Sequence, residues 1–184
     1  MATSTSSPPL LFVPRIMWFA MLCSQLVYVA LLAIPLVEVQ PTAPDDTTLA
    51  LLICLAIGCA IASFLVPPFL LRSAIERHRF ELREVPDPTA PVGFRGVVPT
   101  IREYTDPSAV RRQVSAIAFA PFIVSMALAE AVSAIGLVSA FLGQPAHVWG
   151  AFIATGMVLT AIRLPTDATF IGPIERHTGV PVPR

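Results

Sequence analysis

The stretch Ser125–Leu142, SMALAEAVSAIGLVSAFL, sets one carboxylate, Glu130, inside a run that is otherwise small and apolar. A charged side chain at the centre of a membrane helix costs roughly 2.5–3.5 kcal/mol on insertion scales. Glu130 therefore needs a partner, a water-filled cavity or a proton. The run belongs to a longer one, Val114–Leu142, which is interrupted only by Glu130 and Pro121 and closed by Gly143-Gln144-Pro145. Its length reads as a membrane crossing.

Three further runs read the same way. Ile16–Val37 has 22 residues without a charge, opened by Arg15 and with Trp18 near its start as an interfacial anchor. Leu49–Leu71 follows the polar connection Glu38–Thr48 and contains the pair Pro67-Pro68, which is expected to kink or end its regular helix. Val148–Leu164 is the shortest, with 15 uncharged residues before Arg163, which is expected to snorkel to an interface. The fold expected is all-α, an integral membrane bundle of four transmembrane helices. Its organisation reads as a tail over 1–13, a helical hairpin over 14–78, an Arg- and Pro-rich loop over 79–112, a second hairpin over 113–177 and a tail over 178–184. The N-terminal segment shows no basic region or small-residue cleavage site of signal type, so it is expected to be kept.

Composition agrees with this reading. Of 184 residues 55% are hydrophobic and 13% charged, and the net charge is zero, so nothing in the charge balance points to nucleic acid. All twelve basic residues are Arg, and each lies in the N-terminal segment, the central loop or the C-terminal segment, or at the membrane border beside them. With four spans those segments share one side, and the positive-inside rule places both termini and the central loop in the cytoplasm, the host being the inner membrane of a bacterium. The segment SAIERHRFELREV reads as an interfacial helix, and PDPTAPVGFRGVVPT as extended or turn structure. The loop reads as a contact surface for partners or for anionic headgroups.

The two halves match in places. Gly58 and Pro67 recur as Gly156 and Pro165 at a shift of 98, and Ile75-Glu76-Arg77-His78 recurs as Ile174-Glu175-Arg176-His177 at a shift of 99. Pro14-x-Ile16-x-x-x-Ala20 likewise matches Pro121-x-Ile123-x-x-x-Ala127. These repeats imply a duplicated two-span unit whose copies insert in parallel.

Chemistry-bearing residues are few. Cys23, Cys54 and Cys59 lie in apolar runs, and the three His are scattered, so neither a metal site nor a cofactor site is expected. No His-Glu-x-x-His, Gly-x-Ser-x-Gly or paired catalytic Asp supports an enzyme. Ala129, Ser133, Gly136 and Ala140 form one small-residue stripe at helical spacing, and with Gly58 they are the candidate helix contacts. Glu130, Ser133 and Gln25 are the candidate proton or cation ligands. Two structural alternatives stand beside that role. Glu130 can be a protonated acid donating to a nearby Ser or carbonyl, or the partner of Arg163, which antiparallel spans place within about one turn of its depth.

Ala127-Leu128-Ala129-Glu130-Ala131, followed by Gly136-Leu137-Val138, resembles the carboxylate-bearing helix of the c subunit, or proteolipid, of rotary ATP synthases. The resemblance covers one helix. The family's Gly-x-Gly-x-Gly run is represented in the preceding span by Gly58 alone. What it implies is a ring-forming subunit with Glu130 as the reversible proton or sodium ligand. The composition by itself implies a small multi-pass membrane subunit that assembles with itself or with a membrane complex through Gly, Ala and Ser faces, its surroundings being the lipid bilayer.

Overall fold

The computed structural model describes residues 10–34, 46–78, 80–89 and 99–183. Four apolar helices dominate it: α1 (Phe12–Ala33), α2 (Asp46–Arg77), α3 (Pro107–Phe141) and α4 (Ala146–Ala161). Three of them, α1, α2 and α3, are long and apolar enough to cross a membrane, whereas α4 has 16 residues. Polarity runs inside out. The two buried residues of α1 are Pro14 and Gln25, while Phe19, Leu26 and Val27 face outward. Such an exterior suits hydrocarbon better than water.

The hub is α3. It buries 44% of its most apolar stretch, against 6% for α1 and 11% for α2. All three other long elements pack on it, and α1 also meets α4. The chain turns tightly from α3 into α4 through Gly143, whose φ of 81° lies in the left-handed region that glycine tolerates. The first pair behaves differently. Although consecutive in the chain, α1 and α2 lie mainly against α3 rather than against each other. Residues 35–45, which carry the predicted polar connection, lie outside the described residues, as do residues 1–9 of the N-terminal tail.

The central segment departs from an all-α fold. In place of an interfacial helix over its whole length, SAIERHRFELREV continues α2 as far as Arg77 and then enters a strand. That strand, β1 (Leu82–Pro86), pairs antiparallel with β2 (Thr100–Tyr104). Each strand contains Arg-Glu, and antiparallel register sets Arg83 opposite Glu103 and Glu84 opposite Arg102. The separations are 3.8 and 4.0 Å. Opposite charges facing across a ladder favour that register. Most of the predicted turn segment, residues 90–98, lies outside the described residues.

Helix boundaries also moved. The third helix starts at Pro107, seven residues before the expected Val114, because Asp106 caps it. Its carboxylate accepts from the backbone N–H of Ser108 at 2.8 Å and of Ala109 at 3.1 Å, and proline suits the first helical turn. The second helix does not stop at Pro67-Pro68 but carries both prolines inside it.

After α4 the chain forms two short helices, α5 (Asp167–Phe170) and α6 (Gly172–Thr178). They close a core at the end of the bundle that carries most of the arginines. Ile75 and Ile174, the first residues of the two Ile-Glu-Arg-His segments, both belong to it, with Tyr104, Val114 and Phe170. The Tyr104 hydroxyl bonds Thr178 Oγ1 at 2.9 Å and donates to Val180 O at 3.3 Å, tying the hairpin to the C-terminal segment. The repeated segments differ in setting. The first ends a continuous helix, and the second sits on a separate short one, so matched residues are not matched elements.

Candidate functional site

Glu130 projects from α3 toward α1 and is half-buried there. Its Oε1 lies 2.8 Å from Ser24 Oγ and 3.0 Å from Tyr28 OH. These hydroxyls are four residues apart, so one face of α1 presents both. Ser24 Oγ lies equally close, 2.8 Å, to Met21 O. One face further round, Trp18 and Gln25 meet α4. Trp18 Nε1 donates to Thr160 O at 2.7 Å, and Gln25 Nε2 to Thr160 Oγ1 at 2.7 Å. Gln25 is fully buried, and its Oε1 has no hydrogen-bond partner among the described residues.

The candidate ligands Glu130, Ser133 and Gln25 therefore do not converge. Ser133 turns away from Glu130, packs on α4 and donates to Ile153 O at 3.3 Å. Ala129, Ser133, Gly136 and Ala140 are all buried. Gly156 of α4 rests on this stripe so closely that a Cβ there would collide with Ser133 Oγ and lie 2.8 Å from Ala129 O. A Cβ on Gly136 would stand 2.8 Å from Trp149 O. Gly58 makes no close contact with the described residues. It is exposed, with nothing within 4 Å of its Cβ direction, and the face of α2 that packs on α3 carries Ala56, Cys59 and Ala60 instead.

The Arg163–Glu130 ion pair does not form. The α3–α4 contact sets Gly156 beside Ala129, and Arg163 follows seven residues later, about 10 Å along the axis. Arg163 lies farther from the start of α4 than expected because that helix starts at Ala146, two residues before Val148. Instead of snorkelling outward, Arg163 turns toward α2. Its Nη1 donates to Leu159 O at 2.6 Å, and its Nη2 to Ser63 O at 3.0 Å and Ser63 Oγ at 2.8 Å. Ser63 is four residues before Pro67, which has no N–H to return to that carbonyl. The guanidinium also lies 4.6 Å from the centre of the Phe64 ring.

Ser24, Tyr28 and Thr160 are not among the residues the sequence singles out. A signal was present: Ser24 and Tyr28 are four apart, and Trp18 and Gln25 seven apart, on a helix with few other polar groups. Among the described residues no group of three His, Cys, Asp or Glu is placed to hold a metal. Comparison with protein-family models, curated proteins and solved structures finds no match to this chain.

Proposed function

We propose that the chain is a multi-pass integral membrane subunit of the inner membrane, crossing four times with both termini cytoplasmic and assembling with copies of itself or with a membrane complex. In this reading Glu130 is a protonated latch between α1 and α3. The observation that carries it is a proton count. The Ser24 hydroxyl has one proton and two acceptors, each at 2.8 Å. The arrangement closes when the Glu130 carboxyl supplies the second proton, donating to Ser24 while Ser24 donates to Met21 O. The matching Ile-Glu-Arg-His segments fit a duplicated two-span unit whose first copy has opened to flank α3.

A second reading is favoured by the convergence of three oxygens, from Ser24, Tyr28 and Glu130. Here Glu130 is a proton- or cation-exchanging carboxylate, as the c-subunit resemblance implies, in a translocating subunit or small carrier. Glu130→Gln separates the two, because the amide keeps both the donor and the acceptor of a protonated acid. Proteoliposomes loaded with a proton-sensitive dye are the assay. The latch reading expects equal flux from wild type and variant, and thermal stability unchanged within about 1 kcal/mol. Wild-type flux that vanishes in a folded variant would reject the latch in favour of exchange.

A further inference from the structure

A groove of about 360 Å³ opens between α2, α3 and the chain that leaves α4. Both long helices bring internal prolines to its wall, Pro67 and Pro68 from α2 and Pro121 from α3, and Pro165 and Pro173 add two more. The rest of the lining is largely apolar, including Phe122 and Phe170. Phe64 and Ile162, at 52% and 60% exposure, place its mouth on the lateral surface, where lipid would lie. Among the described residues one charged side chain lines the groove, Arg163, and no acid does.

Arg163 is half-buried, and its partners among the described residues are neutral: two carbonyls, one hydroxyl and one ring. An ionised group withdrawn from water is poorly compensated by neutral acceptors alone and is completed by an anion. A guanidinium has five N–H donors in a planar fork that suits phosphate oxygens. The size of the groove lies at the lower end of the range of small-molecule sites, roughly 300–1,000 Å³, and its side opening lets a longer tail continue outward. A free inorganic anion would leave the apolar walls uncovered.

We propose that this groove binds one anionic phospholipid of the leaflet on the arginine-rich side, with its phosphate on Arg163 and an acyl chain between the proline-bearing faces of α2 and α3. Charge complementarity selects the headgroup, and the apolar wall selects the chain. This inference needs the membrane reading but makes no use of Glu130.

The test is native mass spectrometry of the detergent-solubilised full chain, titrated separately with phosphatidylglycerol and phosphatidylcholine. The wild type is expected to retain one phosphatidylglycerol at about tenfold lower lipid concentration than phosphatidylcholine, and Arg163→Gln to lose that preference. Inorganic phosphate in excess should leave the lipid adduct in place. Equal retention of the two lipids by the wild type overturns the proposal, as does an undiminished preference in Arg163→Gln. Displacement by inorganic phosphate also overturns it, by reducing the site to one for anions. Should Arg163→Gln not give a monodisperse peak, the wild-type preference and the phosphate competition decide alone.

Discussion

Gly156 shows how much of the fold rests on one absent methyl group. A Cβ there would meet Ser133 Oγ and the backbone of Ala129 and Ser133, and backbone cannot swing aside as a flexible side chain does. Gly156→Ala is expected to destabilise the protein by about 2 kcal/mol or more, read as a lower unfolding midpoint in detergent. The stripe that receives it was legible, because small residues three and four apart on one helix announce close approach. The need of Glu130 for shelter was also legible, since no other charge lies in its run. Its partners were not. Ser24 and Tyr28 lie more than a hundred residues away along the chain, and nothing local says which helix the carboxyl will face. The error over Arg163 has the same origin: depth was counted from loop ends, whereas the packing of Gly156 sets the true register.

At the scale of the element, capping and pairing decided what hydropathy could not. Asp106 lies outside the apolar run, so a search for spans begins α3 too late, yet Asp-Pro-Ser before a helix is a start signal in its own right. Hydrogen bonds from the Ala109 N–H, the Ser108 hydroxyl and the Ser108 N–H hold the Asp106 carboxyl below its ordinary value of 3.8. A depressed carboxylate stabilises the fold above its unfolded pKa, and this contribution is lost as pH falls through the folded one. Asp106→Ala should therefore lower the unfolding temperature at neutral pH. The gap from wild type should close below pH 3.8, toward the depressed folded value, when both are melted across a pH series. The strand pair was hidden for another reason. Leu82, Val85, Ile101 and Tyr104 do not alternate strictly, and the pairing depends on the mirrored Arg-Glu dipeptides, a relation between segments and not a period within one. In α2 the prolines suggested a kink or an end, but Arg163, just beyond α4, occupies the carbonyl that Pro67 leaves unpaired.

For the whole molecule, hydropathy and the sidedness of the arginines carried the reading of a membrane bundle, because lipid imposes its pattern on composition directly. The arrangement of helices was less visible, since α1 could have closed on α2 or crossed to the far side of α3 with the same sequence. Its outcome leaves Gly58 on the outer face of α2, beside the exposed Ile57 and Ile61. A gap of that kind lets a second helix approach, and self-assembly through it is the expectation attached to the subunit reading. Gly58→Leu fills the gap without touching the core. The native mass of the solubilised protein is then expected to fall to that of a smaller assembly, with the melting temperature of the protomer unchanged. An unchanged mass would move any self-contact to another face.

The brevity of α4 bears on the host as well as on the protein. Sixteen residues rise only about 24 Å, against the roughly 30 Å depth of a bilayer's oily interior. In the four-span reading proposed above, a crossing at α4 would draw the two leaflets together beside it, while α2, with 32 residues, would have turns to spare. Such a lopsided collar would tilt the protomer and dimple the sheet around it, favouring residence where the membrane is already thin.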